Sequence, residues 1–269
     1  MKFDLNKTDI QKCILCIATL YTSVLYADTN LAQKANDPTA PLMAVQLIDN
    51  YTSDYYNSLE GNTANSVSFR AAYPYKWGES NQIARVTLPT TTNSPTGDTG
   101  IQDMTLFNMT VFPTSWGRLG IGIVGSIPLA DGHDQWSLGP AFGFVNNTFK
   151  KGLNLGLFNQ NLFRIAGEDD RPYTKISSFQ PIINYSMGNG WNIGTGEIQY
   201  IYNWESSQWA SLPIGLQVGK LHKFGKLPII FSLQYVYNFA DEVSMGNGLF
   251  APTAKTEITF TAKFLFPTL

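Results

Sequence analysis

Between Leu42 and Phe266 the chain repeats one pattern twelve times: a short run of alternating apolar and polar side chains, then a connector. Successive side chains of a strand point to opposite faces, so each run has one greasy face and one polar face. The run from Glu257 to Phe266 shows this most plainly. Ile258, Phe260, Ala262, Phe264 and Phe266 alternate with Glu257, Thr259, Thr261 and Lys263. Leu227 to Phe239 and Val67 to Tyr75 repeat it. The predicted strands are 42–56, 65–77, 81–90, 102–113, 117–128, 136–147, 152–166, 174–187, 191–204, 209–222, 227–239 and 254–266. A soluble sandwich also alternates. The aromatic weight of the apolar face argues for lipid instead. The expected fold is all-β, a transmembrane antiparallel up-and-down β-barrel of about 12 strands.

The connectors test this independently. Every second one is short: Gly78-Glu79-Ser80, Thr114-Ser115-Trp116, Thr148 to Lys151, Gly188-Asn189-Gly190 and Lys223 to Lys226. Such residues suit tight turns, which outer-membrane barrels place on the periplasmic side. Thr91 to Ile101, Leu129 to Gln135, Gly167 to Tyr173 and Ala240 to Thr253 are longer and belong outside; Glu205 to Gln208 is short on that side. The first strand is the weakest, because its alternation fades at Asp49 and a helical plug rivals it. An even strand count favours the strand.

Composition agrees. Charged residues make up 14% of the chain, against roughly 25% in ordinary soluble domains. No apolar run is long enough for a transmembrane helix. A net charge of −2 argues against a nucleic-acid partner. Lys2, Lys7 and Lys12 precede an apolar stretch from Cys13 to Val24, with Ala27 as a small residue for cleavage. Residues 1–27 therefore read as a cleaved signal peptide. Residues 28–41 read as a periplasmic lead and 42–269 as the barrel. Cys13 and Cys16 would leave with the signal, so the mature chain would carry no thiol chemistry.

Several stretches carry a family resemblance. They are Asn159-Gln160-Asn161-Leu162, Gly167 to Pro172, Ser178-Phe179-Gln180-Pro181, Asn184-Tyr185, Asn203-Trp204-Glu205, Trp209, Pro213, Gly215, Gly219-Lys220 and Phe264-Leu265-Phe266-Pro267. In these the chain, over roughly residues 42–267, resembles the outer-membrane family named for a phenol-degradation (MetA) pathway. The resemblance implies a porin-like transport barrel in the outer membrane of a Gram-negative bacterium. It implies passage of small organic compounds, aromatic or hydrophobic ones among them. It implies no enzyme activity, and no cofactor is expected.

The alternation places a set of polar side chains toward the lumen: Arg70 and Lys76, Arg85, Gln180 and Asn184, Glu197, Gln199 and Asn203, then Gln234 and Lys263. The third and ninth strands lie about half a turn apart, so Arg85 and Glu197 are expected to face each other. Such residues either set a transverse field for a polar solute or fill the interior as an ion-pair mesh. On the third strand Ala84, Val86 and Leu88 form the apolar face, which leaves Arg85 and Thr87 inward. Gly120, Gly122, Gly139, Gly143, Gly194, Gly196, Gly215 and Gly219 are expected to leave open space inside. The outer loop Glu168-Asp169-Asp170-Arg171 reads as held by its own arginine rather than as a cation site. Tyr73, Tyr75, Trp77, Trp191, Tyr200, Tyr202, Trp204 and Trp209 cluster toward strand ends, as interfacial girdles do.

Catalysis has little support, since His133 sits in an outer loop and His222 beside a periplasmic turn. No metal site is expected. The expected partners are outer-membrane lipid, a small-molecule solute and the barrel-assembly machinery. The reading is a passive channel; the alternative is a structural or surface-interaction barrel with a plugged lumen.

Overall fold

The computed structural model describes residues 30–130, 135–167, 173–241, 244–246, 249–250 and 253–266. The signal stretch 1–27, His133 and the loop Glu168 to Arg171 lie outside the described residues.

Twelve strands form the wall. They are β1 (Met43–Tyr55), β2 (Ala64–Trp77), β3 (Ser80–Asn93), β4 (Met104–Thr114), β5 (Gly117–Ile127), β6 (Gln135–Asn146), β7 (Leu153–Gly167), β8 (Lys175–Gly188), β9 (Trp191–Gly194 and Tyr200–Asn203), β10 (Gln208–Ser211 and Pro213–Phe224), β11 (Leu227–Asn238) and β12 (Ala254–Phe266). Each pairs antiparallel with its sequence neighbours, and β12 closes on β1 from Met43↔Phe266 to Tyr55↔Ala254. Residues 43–55 are thus a wall strand, and the helical alternative for them does not hold. Closure leaves no free edge strand among the described residues, as backbone in lipid requires.

The outward phase of the alternation is apolar. Leu47, Phe69, Leu106, Ile121, Ile123, Ile183, Ile214, Leu216, Leu233 and Phe260 are exposed on it. The short turns need left-handed backbone where Asn189 (φ 50) and Gly190 (φ 75) stand, positions that Asn and Gly tolerate.

The inward phase divides into two halves. From β3 to β8 it is an apolar core of Ile83, Phe107, Met109, Val111, Val124, Ala141, Val145, Phe158 and Ile182. From β9 round to β2 it is largely polar: Asn192, Gln217, Ser232, Gln234 and Gln46 are buried there. The ladder aligns Lys263, Gln46, Arg70 and Thr87 in one row across β12, β1, β2 and β3.

Candidate functional site

The lumen is the candidate site, and its geometry begins with a proline. Pro181 on β8 has no N–H for the ladder. Opposite it, between Asn184↔Gly194 and Phe179↔Tyr200, β9 leaves the sheet over residues 195–199. The Thr195 hydroxyl donates to the Pro181 carbonyl at 2.9 Å and accepts from the Ile183 N–H at 3.2 Å. Gly196 turns the chain at φ 61. The predicted continuous strand 191–204 is therefore broken in two by an inward bulge.

The bulge is held by two glutamines that the sequence singles out. Gln234 Nε2 donates to the Thr195 carbonyl at 3.1 Å, and its Oε1 accepts from the Glu197 N–H at 3.4 Å. Gln180 Nε2 donates to the Gly196 carbonyl at 3.3 Å. Gln199 accepts from the Ser178 hydroxyl at 2.9 Å. The result is that Glu197 projects across the lumen and forms an ion pair with Arg70 on β2. Strands β10, β11, β12 and β1 lie between the two on one side, so this pair is a bar across the barrel. Arg70 Nε also donates to Thr87 Oγ1 at 3.1 Å.

Arg85 does not take the place expected for it opposite Glu197. It points inward, as its phase predicts, but its guanidinium donates to Gln160 Oε1 at 3.0 Å. It stacks on the rings of Phe107 at 4.9 Å and Phe158 at 5.4 Å. Those rings draw it onto the apolar half. Arg85 and Lys263 remain within electrostatic reach of Glu197, yet neither forms a salt bridge among the described residues.

Residues 30–42, read from the sequence mostly as a lead, pack inside the mouth on the short-turn side. Residues 30–35 are helical. Gln33 Nε2 donates to Asn154 Oδ1 on β7 at 3.1 Å, and Asn154 Nδ2 donates to the Gln33 carbonyl at 2.8 Å. Asp37 forms an ion pair with Arg118 on β5, whose Nε donates to Thr39 Oγ1 at 3.2 Å. Lys263 Nζ on β12 donates to the Ala35 carbonyl at 3.0 Å. Leu31, Ala35 and Leu42 pack on Ala44, Leu221, Ile230 and Leu265. Only a segment inside the wall can touch β1, β5, β7, β10, β11 and β12 together.

Between this segment and the Arg70–Glu197 bar lies a cavity of about 100 Å³, lined in part by Gln46, Arg85, Gln217 and Lys263. A polar cleft lies at the opposite end of the same wall, between Asn50, Ser66, Thr91, Asp98 and Glu257. Glu257 there accepts from Asn50 Nδ2 at 3.0 Å.

The inward glycines do not leave open space. A Cβ at Gly120 would meet the Met109 side chain, one at Gly143 the Phe158 ring, one at Gly196 the amides of Gln217 and Gln234, and one at Gly219 the Asn192 amide. The missing side chains are filled by large neighbours, as close packing demands. Asn184 lies near the same filled region, against Gly194, and its Oδ1 has no hydrogen-bond partner.

The outward wall holds a polar network across β6, β7, β8 and β9. Trp204 Nε1 donates to the Ser177 hydroxyl at 2.8 Å, which donates to Asn161 Oδ1 at 2.5 Å. Asn161 Nδ2 donates to the Pro140 carbonyl at 3.0 Å, in a stretch where the register of β6 against β7 is interrupted at residues 139–140. The Ser177 hydroxyl is thus occupied on both sides. His222 stands at the other end, ring to ring with Phe224 at 4.6 Å. Trp77, Trp191, Trp204 and Trp209 are exposed near strand ends, where girdles belong.

No known family and no curated protein matches the sequence. Solved structures do match in shape. An outer membrane channel from Pseudomonas putida F1 superimposes with a TM-score of 0.57 at 12% identity, over 84% of this chain and 96% of that one. An outer membrane phospholipase from Salmonella typhi gives 0.43 at 13% identity, over 83% and 90%. An anion-selective porin from Comamonas acidovorans gives 0.39 at 10% identity, over 84% and 98%. The Pseudomonas likeness is one of fold; the other two are too distant to carry an argument.

The bulge, the bar and the inner segment escape a reading by alternation alone. The local signal for the bulge is Gly194-Thr195-Gly196 opposite Pro181. For the inner segment it is the buried-type sequence Ala35 to Leu42, which holds one aspartate and two prolines.

Proposed function

We propose that this chain is an outer-membrane channel through which small organic solutes pass by diffusion. One observation carries the reading. Polar groups follow one wall, β12 through β3, from the outer cleft at Glu257 and Asn50 to the cavity at Lys263 and Arg70. The opposite half is packed apolar core. An off-centre polar track inside an apolar-skinned barrel suits a solute path better than a solid strut does. The fold shared with the Pseudomonas channel and the family resemblance support it, and aromatic compounds fit the latter.

A second reading has an observation of its own. The segment 30–42 fills the short-turn mouth, as in a plugged barrel with a structural or surface role. Planar-bilayer recording and liposome swelling of the purified protein separate the two. The channel reading expects stepwise currents and swelling by small neutral solutes, larger in a chain lacking residues 30–41. Silence from both chains, each with a heat-modifiable gel band, would leave the plugged barrel standing.

A further inference from the structure

We propose that the cavity between the inner segment and the Arg70–Glu197 bar is a binding site for a small organic monocarboxylate. The inference gives the proposed channel a solute class and rests on that reading only for its passage, not for its binding.

Charge is the first ground. Four cations line the cavity, Lys34, Arg70, Arg85 and Lys263, and its two carboxylates, Glu197 and Asp37, are paired with Arg70 and Arg118. Arg85 and Lys263 have neutral partners, the Gln160 amide and the Ala35 carbonyl. Two cations thus converge on the cavity without a salt bridge among the described residues, since the Glu197 they face is taken by Arg70. A charge held out of bulk water is costly unless it meets its opposite. One anion relieves that cost, and the planar guanidinium fork of Arg85 suits a carboxylate.

An orphaned amide is the second ground. Gln46 lies between Lys263 and Arg70 in the same ladder row. It is only 7% exposed, and its Oε1 has no hydrogen-bond partner. Buried polar atoms are rarely left so. That oxygen is an acceptor and a carboxylate only accepts, so the donor it calls for is a water carried in with the anion or a hydroxyl on its skeleton, while the carboxylate itself is met by Arg85 and Lys263.

Shape is the third. The cavity also touches Ile83, Phe107 and Ile230, which offer an apolar side for a carbon skeleton. Its volume of about 100 Å³ is room for roughly three waters at liquid density. That admits a short organic acid and excludes a bulky one.

The test is calorimetric titration of the full-length folded protein in detergent with butyrate, and with butyramide as its neutral isostere. Butyrate binds and butyramide binds at least tenfold more weakly. Lys263→Gln lowers butyrate affinity at least tenfold, while Lys263→Arg, which keeps the charge, restores most of it. Each variant is first shown to keep its heat-modifiable gel band. Equal binding of acid and amide, no binding of butyrate, or an unchanged affinity in Lys263→Gln overturns the proposal. Because binding is read without a membrane, its failure is separate from failure of the channel reading, which bilayer silence alone decides.

Discussion

Asp37 of the inner segment and Arg118 of the wall form an ion pair whose acidic side chain is 0% exposed and whose basic one is 18% exposed. The pair ties the segment to β5, while Lys263 ties it to β12 and Asn154 to β7. These are three points around the mouth. We predict that Asp37→Asn loosens the segment without unfolding the wall. A hydrogen bond between charged groups is worth about 1.5–3 kcal/mol, so the equilibrium constant for docking should fall by roughly tenfold or more. Bilayer recordings should show more frequent or larger openings, with the gel band unchanged. Identical currents in wild type and variant would mean that the segment is not what limits the mouth.

The bar across the lumen predicts a selectivity change. Glu197→Gln keeps the bulge, since Gln234 and Gln180 hold its backbone. It removes the carboxylate that faces Arg70, Arg85 and Lys263. The lumen then gains net positive charge, and its field is less screened than at an open surface. Reversal potentials under a salt gradient should move toward anion preference. The temperature at which the barrel opens on a gel should also fall, because Arg70 loses its ion-pair partner. A shift toward cations would place Glu197 off the ion path.

Much of this was legible in the alternation. The twelve strands, the closure of β12 on β1 and the inward phase of Arg85 follow from period two and the turn spacing. The contacts of Arg85 do not. Alternation tells which face a side chain takes but not which of several inward neighbours it meets. Phe107 and Phe158 won Arg85, and the bulge at Thr195 delivered Glu197 to Arg70. The glycines misled for a related reason. Absence of a side chain was read as space, whereas Met109 and Phe158 occupy it. The inner segment was invisible to the pattern because it has no period.

The filled glycines yield a prediction on stability. At Gly143 a Cβ would meet the Phe158 ring, and Phe158 is 1% exposed. Overpacking of this kind costs about 1–3 kcal/mol. Gly143→Leu should therefore lower the opening temperature in a heated-gel series. Ile214→Leu, on an outward residue that is 60% exposed, should leave it unchanged. If Gly143→Leu is harmless and raises conductance instead, the apolar half of the lumen is looser than its packing shows.

Sidedness is the last prediction, and it tests the frame on which the others stand. Strand β3 and strand β4 are joined by residues 94–103, whereas β2 and β3 are joined across Gly78 and β8 and β9 across Asn189. Gly97 is exposed at the tip of the long connector. Outer-membrane barrels keep long loops outside and short turns in the periplasm. Epitope tags inserted at Gly97 should be reached by antibody on intact cells, and tags at Gly78 or Asn189 only after permeabilisation. The inner segment enters from the short-turn side, so the same experiment fixes which compartment the Asp37–Arg118 latch faces. Labelling at Gly78 on intact cells with none at Gly97 would invert the barrel. The latch would then guard the outer mouth, and solutes arriving from outside would meet it before they met the cavity.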